Sequence, residues 1–173
     1  MTLGSVPLSS PIQEEIAKAK NFYQTFERRI FADKTIVDLL AKLEHAIAKS
    51  HEEMRTAGIL EICRACEQKE GGSCCGAGLE NRYSSWLLLI NLLLGVGLPT
   101  RRYDPKSCLF LAHTGCLLKA RHVICVNYLC AKITHQVDAR KIATLRDREG
   151  EELNTLFLLH ERVKRVMREW MNA

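Results

Sequence analysis

Apolar residues recur at three- and four-residue steps along the first third of the chain. Ile12, Ile16, Ala19, Tyr23, Phe26 and Ile30 trace one face of a helix that opens with Ser10 as cap and Pro11 in its first turn. Asp33 reads as the cap of a second helix, whose stripe runs through Ile36, Leu40, Leu43, Ile47 and Met54, widened by Leu39, until Gly58 ends or bends it. Charged residues between these positions (Glu14, Lys18, Asp38, Lys42, Glu44, Lys49) form solvated faces.

The middle of the chain is less regular. Residues 71–78, GGSCCGAG, cannot continue a helix comfortably. Ser84 or Ser85 caps an apolar stretch, Trp86 to Leu98, that ends over Gly95 to Pro99. With 13 residues, it is too short for a membrane span of about 20 and reads as a buried core helix. Cys108–Ala112 and Cys116–Ala120 are short apolar runs joined by His113, Thr114 and Gly115, a β-hairpin pattern. Arg121 to Cys130 fits either a strand or a short helix. The C-terminal segment is helical again, with Leu153, Leu156, Phe157, His160, Val163, Met167 and Trp170 on one side. Gly150 is expected to break it from Thr134–Asp147.

The predicted fold is therefore mainly α. A helical N-terminal arm (11–58) and a C-terminal helical segment (134–173) enclose an irregular cysteine-rich core (59–133) with a short hairpin, all in one domain. Composition adds little to this: 173 residues, 47% hydrophobic and 26% charged, are ordinary for a folded chain. A net charge of +5 and 6% aromatics offer neither a strong phosphate-binding face nor a base-stacking platform, which argues against nucleic-acid binding. Arg162, Lys164, Arg165 and Arg168 make the C-terminal end basic, most simply as an exposed face.

Cysteine changes the picture. All eight lie between Cys63 and Cys130, in four pairs: Cys63 with Cys66, Cys74 with Cys75, Cys108 with Cys116, and Cys125 with Cys130. The first ten residues carry no basic stretch and no apolar core of a secretory signal, so a cytoplasmic protein is expected. Thiols stay reduced there, and clustered cysteines point to metal rather than disulfides. A C-x2-C pair can meet one ion from a single turn. Four thiolates hold zinc tetrahedrally or an iron–sulfur cluster. Eight fill two such sites, or one site with the remainder as packing or redox thiols. Cys125 and Cys130, set among apolar residues, are the strongest candidates for packing. Arg64, Arg82, Arg101, Arg102, Lys106, Lys119, Arg121 and Lys132 are near the cysteines in sequence and either offset the sulfur charge or face solvent. His113 and His122 read as turn or surface residues rather than ligands.

At these residues the chain resembles the zinc- or iron-chelating domain family, also called YkgJ-like. CRACEQKEGGSCCG and SCLFLAHTGCLLKARHVICVNYLC match its C-x2-C, adjacent pair and closing segment, with Cys108, Phe110, Leu111, Gly115, Cys116, Arg121, Cys125, Tyr128 and Cys130 in matching places. Leu109, His122 and Leu129 stand where that family carries proline, and the Cys66–Cys74 spacing is longer. The resemblance implies that Cys63, Cys66, Cys74, Cys75, Cys108, Cys116, Cys125 and Cys130 are metal ligands for zinc or an iron–sulfur cluster such as [4Fe–4S]. Some relatives in that family look like flagellin lysine methylases, which are proposed to hold an iron–sulfur cluster.

Three functional readings follow: a metal-binding protein with a structural, redox or electron-transfer role; a cluster-dependent modifying enzyme related to lysine N-methylases; or a metal-stapled module that binds a protein partner. No glycine-rich S-adenosylmethionine loop and no CxxxCxxC run is present, and the residues alone name no catalytic group.

Overall fold

The computed structural model describes residues 11–70 and 74–172. Ser10 and the stretch 71–73, both drawn into the expectations above, lie outside them. The architecture is mainly helical: α1 (Pro11–Ala32), α2 (Lys34–Thr56), α3 (Ile59–Glu70), α4 (Ser85–Leu93), a hairpin of β1 (Leu111–Ala112) and β2 (Gly115–Cys116), then α5 (Val123–Asn127), α6 (Ala131–Gln136) and α7 (Ala139–Met171).

The long helices form where the periodicity places them. Ile12, Ile16, Ala19 and Ile30 of α1 are buried, as are Ile36, Leu40, Leu43 and Ile47 of α2. Asp33 caps α2, its carboxylate accepting from the Ile36 N–H at 3.0 Å. Helix α2 packs along α7, and α1 packs on α4. Phe22 stacks on Trp86 with ring centroids 4.9 Å apart, and Phe26 stacks on Trp170. The Glu15 carboxylate accepts from the Ser85 N–H at 2.6 Å, so α1 helps to cap α4. Ser84 supplies the side-chain cap.

The apolar run after Trp86 is a core helix: Leu88, Leu89 and Ile90 are fully buried, and Gly95, at φ +79°, turns the chain after it. Among the described residues no helix is long and apolar enough to cross a membrane.

Three sequence expectations change. Gly150 does not break the C-terminal segment. Helix α7 is continuous for 33 residues, and the break falls at Val137–Asp138, where the Asp138 side chain accepts from the Arg140 and Lys141 N–H groups. Packing against α2 on both sides of Gly150 outweighs the small intrinsic cost of glycine in a helix. The buried stripe of α7 runs through Leu145, Leu156, Leu159, Val163, Val166 and Met167, while Phe157 is 61% exposed. The hairpin turn holds two residues rather than three, because Gly115 pairs with Ala112 and takes φ +109° inside β2. The ambiguous Arg121–Cys130 stretch is helical over α5.

Two apolar clusters result. The larger gathers α1, α2, α4, α7 and the Cys108–Leu111 run. The smaller consists of Ile59, Ile133, Val137 and Leu145, with Ile62, Leu129 and Cys130 packed against it. Cys108 belongs to the larger cluster, with Cys75 and Cys125 packed against it.

Candidate metal centre

All eight cysteines stand as thiols. Gly58, at φ +79°, separates α2 from α3 and sends the chain off in a new direction. On α3, Cys63 and Cys66 are one turn apart and share a face. Helix α3 packs on α6, whose cap residue is Cys130. The Lys132 ammonium on α6 donates to the Cys66 sulfur at 3.8 Å. Cys74 follows the stretch 71–73. Its thiol is pushed strongly up, first by a hydrogen bond with Cys75, then by burial, and further by repulsion from Cys75, Cys63 and Cys130.

The remaining cysteines are held by the loops between α3 and α5. The Cys75 carbonyl accepts from the Cys108 N–H at 2.7 Å, Gly76 bridges Ser107, and the Ala77 N–H reaches the Lys106 carbonyl at 2.8 Å. Glu80, 1% exposed, anchors the same junction. Its carboxylate pairs with Arg102 and accepts from the N–H groups of Gly78 at 3.0 Å and Leu109 at 3.4 Å. Cys108 is 5% exposed, and burial pushes its thiol up to about 12. The hairpin pairs Leu111 with Cys116, so the chain turns back close to Cys108.

Beyond the hairpin, Asn91 of α4 clamps Ala120 from both sides. Its amide donates to the Ala120 carbonyl at 2.9 Å, and its carbonyl accepts the Ala120 N–H at 3.1 Å. Tyr83, 3% exposed, accepts from the His122 N–H at 3.0 Å and donates to the Cys125 sulfur at 3.6 Å. Burial pushes the Tyr83 hydroxyl up. His122 caps α5 through Nδ1, which accepts from the Ile124 N–H at 3.2 Å, and His113 is in the hairpin turn. The Cys125 thiol is also pushed up by burial and by Cys75, against the lowering influence of Arg121.

Charge is distributed to match. Arg121 is within electrostatic reach of Cys116 and Cys125, and Lys132 is beside Cys66. Of the other basic residues near the cysteines, Arg102 is committed to Glu80 and Lys119 to Glu44 and the Leu94 carbonyl. Arg64, Arg82, Arg101 and Lys106 are exposed. Among the described residues, no three His, Cys, Asp or Glu side chains stand together as a ready-made metal cage. Neighbouring cysteines contribute to the raised pKa of Cys74, Cys108, Cys116 and Cys125, and an all-sulfur donor set is of the kind that suits zinc or an iron–sulfur cluster.

Sequence reasoning did not find Tyr83 or Glu80. Their partners lie 42 and 22 to 29 residues away, so no local signal exists to reveal them. An open cavity of about 430 Å³ lies beside Arg121 and His122 and is also lined by Arg82, Leu156, Phe157 and His160.

The fold and the centre thus define a helical protein with a thiol-rich centre at the junction of its loops and short helices. Comparison with known protein families, with curated proteins and with solved structures finds no match to this chain.

Proposed function

We propose that the protein binds metal through its clustered cysteines, as zinc or an iron–sulfur cluster, in a structural, redox or electron-transfer role. The observation that supports this most is the elevation of four thiols, Cys74, Cys108, Cys116 and Cys125, to which neighbouring cysteines contribute. Burial and neighbouring cysteines disfavour the thiolate at these four positions, in the 74–75 turn, at Cys108, in the hairpin and on α5. A bound cation reverses that penalty by replacing the protons. Cys63, Cys66, Cys74, Cys75, Cys108, Cys116, Cys125 and Cys130 are the ligands, with Arg121 and Lys132 offsetting the thiolate charge. Bound metal supplies a cross-link between distant segments and, in an iron–sulfur cluster, a site for one electron. The resemblance to the zinc- or iron-chelating domain family supports the same reading.

Elemental analysis with an absorption spectrum of anaerobically prepared protein tests it. The expected result is brown, iron-containing protein with broad visible absorption, or colourless protein with stoichiometric zinc. Folded, metal-free protein whose eight thiols alkylate at one rate overturns it.

A second reading, the modifying enzyme, draws on the cavity. Arg82, Arg121, His122 and His160 line it, an environment that favours an anionic group, and Arg121 reaches toward the sulfur centre as well. A saturable NMR shift titration with inorganic phosphate, lost in Arg82→Ala, is its expected signature, and a flat titration of the intact protein removes it. The third reading, a partner-binding basic helix, is narrowed: Arg162 pairs with Asp33 at 2.5 Å and Lys164 with Glu161, which leaves Arg165 and Arg168 exposed.

A further inference from the structure

We propose that the cavity beside Arg121 and His122 binds a small amphipathic anion. A carboxylate or phosphate head is held by Arg121 and Arg82, and a short apolar body lies against Val123, Leu153 and Phe157. This rests on the reading of the cavity as a site for an anionic group and adds the other half of the ligand.

The head is argued from an unpaired cation. Four arginines among the described residues are half-buried: Arg121, Arg146, Arg148 and Arg162. Arg146 pairs with Glu149, Arg148 with Glu151 and Arg162 with Asp33. Arg121 makes no ion pair among the described residues. Its Nε is buried without a hydrogen-bond partner, and its Nη2 reaches the Met54 sulfur at 4.0 Å, a weak contact. Glu149 is within electrostatic reach of Arg121, but one of its oxygens accepts from Arg146 at 2.6 Å. A guanidinium sheltered from water without a carboxylate is costly, and a bound anion removes that cost. Its planar fork suits the paired oxygens of a carboxylate or phosphate. Arg82 lines the same cavity, and no acidic side chain among the described residues does. His122 adds a donor, because its Nδ1 accepts from the Ile124 N–H and the ring proton is therefore on Nε2.

The body is argued from the rest of the wall. Leu87 and Leu156 belong to the larger apolar cluster, so that part of the lining is fixed by the core. Val123 on α5 is 45% exposed, and Phe157 on α7 stands still further out. Two apolar side chains from different helices thus face water at one cavity. An apolar body that covers them removes that area from water. A volume of about 430 Å³ is within the usual range for a small-molecule site. An inorganic anion leaves the apolar wall wet, and a neutral apolar molecule leaves Arg121 unpaired. A molecule with both ends satisfies both.

The test is an NMR titration of the full chain, isolated anaerobically, with octanoate below its micelle-forming concentration. Saturable shifts are expected at the amides of Arg121, Val123 and Phe157. Affinity should rise from butanoate to octanoate by up to about fourfold per added CH₂. Octyl phosphate against octanoate separates the two heads, and saturable binding of either at these residues supports the proposal. Loss of the charge in 1-octanol should weaken binding by about tenfold or more, and Arg121→Gln should weaken octanoate by a similar factor. Phe157→Ala, at an exposed position and so safe for folding, should weaken octanoate about fivefold and leave inorganic phosphate unchanged. Affinity that does not depend on chain length, inorganic phosphate bound as tightly as octanoate, or no effect of Phe157→Ala overturns the amphipathic ligand and leaves the anionic reading standing. Equal binding of 1-octanol, or shifts confined to residues away from the cavity, also overturns it. No saturable shift with inorganic phosphate or any of the amphiphiles removes both.

Discussion

At the scale of single residues, the buried carboxylates Glu80 and Glu149 behave in opposite ways. Burial raises the pKa of Glu80, but Arg102 and the backbone N–H groups outweigh it and hold the carboxyl below the usual carboxylate range. A depressed folded-state pKa gives stability that is complete above that range and is lost as pH falls through the folded value. Glu80→Gln is therefore expected to cost about 1–3 kcal/mol at neutral pH and to flatten the acid limb of stability. Glu149, 1% exposed on α7, is raised by burial, only partly offset by Arg146. Its sign is reversed: stability falls as pH rises from the usual carboxylate range through the folded value. Glu149→Gln is expected to match or exceed wild type at neutral pH and to lose that advantage in acid. Urea unfolding of both variants across a pH series measures each effect. Neither carboxylate stands out in the sequence. Burial of a charge is decided by partners such as Arg102 and Leu109, which local pattern does not locate.

At the scale of elements, two glycines separate by backbone angle. Gly150 is inside α7 and has open space around a would-be Cβ, so Gly150→Ala is expected to stabilise by about 0.5–1 kcal/mol. Gly58 also has open space, but its φ is +79°, and Gly58→Ala is expected to destabilise by about 1 kcal/mol. Paired thermal melts should show shifts of opposite sign. The sequence reading of these two residues was half right. It stopped α2 at Gly58 through the rule that glycine favours a helix end, and it applied the same rule to Gly150. There the continuous contact of α7 with α2 overrides local propensity. The long amphipathic helices were legible because a stripe needs only local order. The hairpin was legible apart from its turn length, because Gly115 serves inside the strand pair rather than in the turn.

At the scale of the whole molecule, the larger apolar cluster joins four helices, while the smaller contains four buried residues from α3, α6, α7 and their connection. A core that small holds its elements weakly, so local opening is expected to begin there. Chelation of bound metal should raise amide exchange in α3 and α6 before α2 and the C-terminal half of α7. Hydrogen exchange with and without chelator checks this, and equal loss everywhere goes against it. The eight cysteines were visible from composition and their pairing from spacing. Their placement in space was not, because Cys75 bonds to Cys108 and Cys130 caps the helix that packs on α3, contacts that bridge long stretches of chain. That bridging has a consequence for synthesis. A ribosome releases Cys63, Cys66, Cys74 and Cys75 first, yet Cys75 cannot bond to Cys108, nor α3 pack on the helix that Cys130 caps, until those later segments have emerged. For that interval the early thiols lack their folded neighbours, so a nascent chain is most vulnerable to oxidation and mispairing just before its last helices are made.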